Sequence, residues 1–85
     1  MAISISHPTN RPNFTRVESG DNILYFSYET LVGFAVPGIP GTAVIQNYWS
    51  TTTGKHLNYI DNGNKEGRLT RAQFDQLAAY AGIDN

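Results

Sequence analysis

Ile23-Leu24-Tyr25-Phe26-Ser27-Tyr28-Glu29-Thr30-Leu31-Val32-Gly33-Phe34-Ala35-Val36 is the stretch on which the fold turns. Residues 23–28 are rich in β-branched and aromatic types, and residues 31–36 continue that character after Glu29 and Thr30, so two strands are expected here. Successive side chains of a strand point to opposite faces. In the first strand Ile23, Tyr25 and Ser27 share one face, and Leu24, Phe26 and Tyr28 the other. In the second, Leu31, Gly33 and Ala35 alternate with Val32, Phe34 and Val36. Neither face is convincingly polar, so this sheet has to be covered by something.

Upstream, Gly20-Asp21-Asn22 supplies turn residues and residues 14–18 read as a short strand. Ile3 and Ile5 alternate with Ser4 and Ser6, a further short strand ahead of a connection broken by Pro8 and Pro12. Downstream, Pro37-Gly38-Ile39-Pro40-Gly41 cannot continue a ladder, because the prolines lack the amide donor. Residues 42–49 then resume the β pattern.

The C-terminal third changes period. Thr70 and Gln73 form a capping-box pair, and Leu69 and Phe74 flank it as a hydrophobic staple. Phe74, Leu77, Ala78 and Ala81 make one apolar helical stripe, and Gly82 stands where a left-handed residue ends a helix. A shorter helix is expected over residues 54–60, capped by Thr52 or Thr53, and residues 61–67 read as a plain loop.

The chain is therefore expected to be one α+β domain. Residues 1–13 form an irregular N-terminal segment, residues 14–50 a β-meander, and residues 51–85 a polar segment, a short helix and a C-terminal helix. The architecture expected is an antiparallel sheet of four to five strands with both helices packed on one face. The other face would then expose Tyr25, Phe34 and Trp49 and favour a homo-oligomer, most simply a dimer.

Composition narrows the function. Eighty-five residues make one small domain with a thin core. Six basic and seven acidic side chains give a net charge of −1, which argues against a dedicated nucleic-acid binder. The absence of cysteine excludes disulfides, thiolate metal sites and thiol nucleophiles. No run of 18 apolar residues exists, and residues 1–6 have neither a basic segment nor a long apolar one, so a soluble intracellular protein is expected.

Ser50-Thr51-Thr52-Thr53-Gly54-Lys55-His56 is the densest polar cluster, placed where a strand gives way to a helix. Hydroxyls, free amides at a helix start, a glycine, a lysine and a histidine suit a phosphate or carboxylate. A second reading is open: one threonine caps the helix, the others fill a β-edge and Lys55 is solvated. The P-loop spacing fails, since no glycine stands five residues before Gly54 and His56 occupies the hydroxyl position. His56 could be a base or a phosphate contact, although a structural histidine packed on Trp49 or bonded to a backbone carbonyl is favoured. Residues 61–67 fail the calcium-loop pattern, with Gly63 and Lys65 where oxygen donors belong. No triad, paired-carboxylate or dinucleotide fingerprint is present, so no cofactor and no catalysis are expected.

Tyr48-Trp49-Ser50-Thr51-Thr52-Thr53-Gly54-Lys55-His56-Leu57-Asn58, with Tyr25-Phe26-Ser27-Tyr28-Glu29-Thr30 and Val32-Gly33-Phe34 upstream, resembles a small domain family of unknown function found mainly in bacteriophage and some bacterial genomes. The resemblance runs from Phe14 to the C-terminus. It implies a phage origin and a place in the bacterial cytoplasm, and brings no catalytic residues.

The function expected is a non-enzymatic, phage-derived protein that blunts a host defence by sequestering a nucleotide-type immune signal, such as a cyclic nucleotide. Thr51, Thr52, Thr53, Gly54, Lys55 and His56 would hold phosphate or ribose, with Trp49 and Tyr25 stacking on the base. The alternatives are an inhibitor that occludes a host defence protein through the open sheet face and, less favoured, a nucleotide-cleaving enzyme with His56 as base.

Overall fold

The computed structural model describes residues 3–8, 11 and 13–83. Five strands form one antiparallel sheet in sequence order: β1 (Ile3–Ser6), β2 (Phe14–Ser19), β3 (Asn22–Ser27), β4 (Thr30–Ala35) and β5 (Ala43–Val44). Two helices follow, α1 (Thr51–Asp61) and α2 (Arg71–Tyr80). The α+β class and the antiparallel meander agree with the sequence reading. Residues 3–6, which fell within the segment expected to be irregular, form the edge strand that their Ile/Ser alternation signals. The break expected at Pro12 lies outside the described residues. No helix among the described residues is long and apolar enough to cross a membrane.

The β3–β4 pair carries the core. Its register shifts between Tyr25 and Phe26, leaving Val32 as the extra residue, and the Val32 carbonyl accepts from the Ile45 amide at 3.1 Å. Pairing assigns the faces, because directly opposed residues lie on the same side of a sheet. Phe14, Ser27, Tyr25, Gly33 and Val44 share one face; Val17, Leu24, Phe34 and Ala43 share the other.

The helices cover opposite faces, which corrects the expectation that both pack on one. Gly33 turns toward α1: a Cβ built there would meet the Ile60 side chain at 3.4 Å and the Ala43 carbonyl at 3.2 Å, so the close approach needs glycine. Phe34, the next residue, points the opposite way and meets Phe74 of α2 with ring centroids 5.2 Å apart. The patch expected on an open face is not assembled. Phe34 is fully buried, Tyr25 is half-buried, and only Trp49 is exposed, at 40%.

Two boundaries also move. The strand expected over residues 42–49 is a two-residue ladder, after which Ile45 makes a parallel bridge to Leu69. The Leu69 amide donates to Val44 O and the Gln46 amide to Leu69 O, both at 2.8 Å. Asn47 then turns the chain: its Oδ1 accepts from the Trp49 amide at 2.9 Å and its Nδ2 donates to Ser50 O at 3.0 Å. That turn makes Ser50 the cap of α1, with its hydroxyl accepting from the Thr53 amide at 3.3 Å. The helix thus starts at Thr51, earlier than residue 54, and neither Thr52 nor Thr53 caps it. Residues 61–67 include a 3₁₀ turn at Lys65–Gly67 where a plain loop was expected.

At α2 the local signals operate as read. Both arms of the Thr70/Gln73 capping box form, Phe74 and Ala78 are buried, and Leu69 joins the core beside them. Past the helix end Gly82 has φ 75°, the Gly82 amide reaches Ala79 O, and the Ile83 amide reaches Ala78 O. These are the two hydrogen bonds of a Schellman ending.

Candidate functional site

Helical periodicity divides the polar segment between two environments. Residues three and four apart share a helix face. Thr53, His56, Leu57 and Ile60 form the stripe that meets the sheet, whereas Thr51, Gly54, Lys55 and Asn58 form a polar stripe along an open cleft of about 660 Å³. Thr52 lies on neither stripe and is half-buried. A cleft of that size falls within the usual range of small-molecule sites.

The opposite wall of the cleft comes from outside the segment. Gln46 and Asn47 enter from the turn after β5, and Lys65 and Arg68 from the turn after α1. Gly54 lets these walls approach closely, since a Cβ there would stand 3.0 Å from Asn47 Nδ2 and the carboxamide would have to give way. Arg68 is the best fixed of the cleft's cations, its side chain only 4% exposed. Its Nε donates to Asp61 Oδ2 at 2.7 Å, and its Nη2 to Asp61 Oδ1 at 3.1 Å and to Asn58 Oδ1 at 2.9 Å. This fork holds the guanidinium in one orientation. Lys55 and Lys65 are exposed, and neither is paired with a carboxylate among the described residues.

His56 belongs to the other environment. Its ring stacks on Phe14 at 4.7 Å with 6° between the planes, and Tyr28 tilts toward it at 6.2 Å. Nδ1 shares a hydrogen bond of 2.7 Å with Ser27 Oγ, which in turn shares one of 3.0 Å with Thr53 Oγ1. Nε2 is buried without a partner among the described residues. Burial, followed by the nearby charge of Arg11, pushes the imidazole pKa below its ordinary 6.5, so the ring is neutral at pH 7. His56 is thus buried against the sheet, where it packs on Phe14 rather than Trp49 and bonds a serine hydroxyl rather than a backbone carbonyl.

The aromatic half of the expected site is not brought to the cleft. Tyr25 stacks on Phe14 within the α1 face of the sheet and hydrogen-bonds Arg16, which raises the arginine's pKa. Trp49 carries the Arg71 guanidinium over its ring at 5.5 Å and lines a separate cavity of about 130 Å³ with Ser27, Tyr28 and Thr53. Of the eight residues expected in the site, the cleft holds Thr51, Gly54 and Lys55. Asn58 could have been found by extending their helical stripe one turn. Gln46, Asn47, Lys65 and Arg68 carry no local sequence signal and reach the cleft only through the Leu69 bridge and the Asp61 fork.

A family model matches residues 4–76, most of the chain and both walls of the cleft. The chain belongs to the family of unknown function DUF8033. The DUF8033 match takes in all of β1 but Ile3, a strand that lay outside the stretch of sequence resemblance, and stops within α2. No curated protein and no solved structure is detectably similar to the chain.

Proposed function

We propose that this chain is a non-enzymatic binding protein that captures a nucleotide-type phosphorylated ligand in the cleft beside α1. Lys55, Lys65 and Arg68 carry this reading: three cations converge on one concave surface, and among the described residues no carboxylate lines it. The neighbouring acid, Asp61, is already bonded to Arg68. Several cations gathered on one concave surface favour phosphate, which offers several charged acceptors at once. The absence of catalysis is supported by His56, whose imidazole packs against the sheet, away from the cleft, with Ser27 as its partner.

In the phage setting implied by the sequence resemblance, such capture would blunt a host defence by lowering the free concentration of its nucleotide signal. We favour capture over the rival mechanism, occlusion of a host protein through an open sheet face, because α1 and α2 approach the centre of the sheet from opposite sides.

Thermal unfolding against a panel of linear and cyclic nucleotides tests the proposal. A ligand at a hundredfold its Kd stabilises the folded state by about 2.7 kcal/mol. The stabilisation is expected in the unaltered chain and lost in a Lys55→Ala/Lys65→Ala double variant that melts normally on its own. Chromatography after denaturation is expected to return the nucleotide intact; recovery of a cleaved product would replace binding by catalysis.

A further inference from the structure

Each carboxamide at the cleft has its oxygen already engaged. Asn58 Oδ1 accepts from Arg68, Asn47 Oδ1 from the Trp49 amide, and Gln46 Oε1 from the Tyr48 hydroxyl at 3.3 Å. The orientations are set by partners of fixed polarity. A guanidinium and a backbone N–H can only donate. The Tyr48 hydroxyl accepts from the Arg71 amide at 3.1 Å, which directs its own proton to Gln46.

What remains available to a ligand is almost entirely donor. Gln46 and Asn58 keep their NH₂ groups, Lys55 and Lys65 their ammonium protons, and Arg68 its Nη1, which has no partner among the described residues. Thr51 alone offers a side-chain acceptor that is not already bonded among the described residues, and each carboxamide oxygen keeps only its second lone pair. No aromatic or aliphatic side chain among the described residues lines the cleft. A nucleobase is read by stacking and by acceptors placed opposite its amino and imino protons, and neither is present in quantity. A condensed phosphate is the complement: it presents only acceptors and carries more than one negative charge.

We infer that the cleft recognises a diphosphate or longer phosphate chain and leaves any attached base unread. This rests on the binding function proposed above. The same chemistry occurs in nucleoside diphosphates and in inorganic condensed phosphates, and the arms of one titration separate them.

Isothermal titration of the full chain would compare ADP, GDP, CDP and UDP with AMP, adenosine, inorganic pyrophosphate and tripolyphosphate. The four diphosphates are expected to bind within about threefold of one another, because a stacked or hydrogen-bonded base would add about tenfold or more. Adenosine is expected to show no heat. AMP is expected to bind at least about tenfold more weakly than ADP, having lost one set of charged acceptors. Pyrophosphate and tripolyphosphate binding as well as ADP would identify an inorganic chain as sufficient; a loss of affinity without the sugar would identify the nucleoside diphosphate as the source.

A preference of more than about tenfold for one base, or equal affinity for ADP and AMP, overturns the inference and leaves the nucleotide-binding proposal standing. Silence from every phosphate, in a chain that also fails to respond to the nucleotide panel, overturns both. The Lys65→Ala variant adds an internal check, since it is expected to weaken all four diphosphates by the same factor. A base-dependent change would mean that Lys65 faces the base.

Discussion

Replacing His56 with alanine should destabilise the fold rather than disable a surface site. The imidazole, carried on α1, stacks on the Phe14 ring with centroids 4.7 Å apart and the two planes 6° from parallel. Its removal forfeits an aromatic stack worth about 0.5–1.5 kcal/mol and the Ser27 hydrogen bond, worth about 1 kcal/mol. Together with the cavity it leaves, the lost packing, stack included, totals about 3 kcal/mol, the lower end of the roughly 3–5 kcal/mol measured for larger aromatic side chains. Against these stands the buried Nε2, whose lack of a partner already costs about 1–3 kcal/mol and disappears with the ring. The net expectation is a loss of about 2 kcal/mol, or about 8–16 °C in Tm for a domain of this size. His56→Phe keeps the stack and most of the volume, removes the orphan nitrogen, and leaves Ser27 bonded to Thr53. It should fall within about 1 kcal/mol of the unaltered chain. Thermal and urea unfolding followed by far-UV circular dichroism measure both. A His56→Ala protein melting within a few degrees of the unaltered chain would refute the buried placement, and a His56→Phe protein as unstable as His56→Ala would mean that the Ser27 bond, not the stack, anchors the ring.

Acid should act through the same residue. The folded-state pKa of His56 lies below 6.5, so near that pH the unfolded chain binds more protons and stability falls as pH drops. Urea midpoints at pH 7.5 and 5.5 should show this loss in the unaltered chain and a smaller one in His56→Phe. Thr70→Ala removes the acceptor for the Gln73 amide and should cost about 1 kcal/mol, whereas Phe74→Ala, fully buried against Phe34, should cost about 3–5 kcal/mol; equal urea midpoints for the two would place α2 off the core. Self-association is expected through the β1 edge, an uncharged strand from which Ile3 and Ile5 protrude at 65% and 66% exposure. Light scattering at micromolar concentration should give a dimer that Ile5→Lys dissolves, and a mass near 9.4 kDa for the unaltered chain would remove the expectation.

Local chemistry in the sequence was enough for α2 and for the class of the fold. Thr70, Gln73, Phe74, Ala78 and Gly82 act within a few residues of one another, through a cap, one turn of packing and a left-handed ending, so their spacing alone carries the information. The β3–β4 meander was legible for a similar reason, since period-2 alternation and short connections leave adjacent strands little choice but to pair.

Which side each helix takes was decided by tertiary structure. The apolar character of both faces of residues 23–36 signalled that both needed cover, but only the Gly33–Ile60 and Phe34–Phe74 approaches reveal that α1 and α2 divide the task. The candidate site was less legible still. Residues 51–56 look like one cluster in sequence, yet Ser50 caps a helix there, and a 3.6-residue period sends Thr51, Gly54 and Lys55 to the cleft while turning Thr53 and His56 to the sheet. Arg68 arrives through bonds between separate parts of the chain: it is aimed by Asp61 and Asn58, and its segment is held to Val44 by Leu69. Such bonds depend on backbone paths meeting in space, which residue spacing along the chain does not encode.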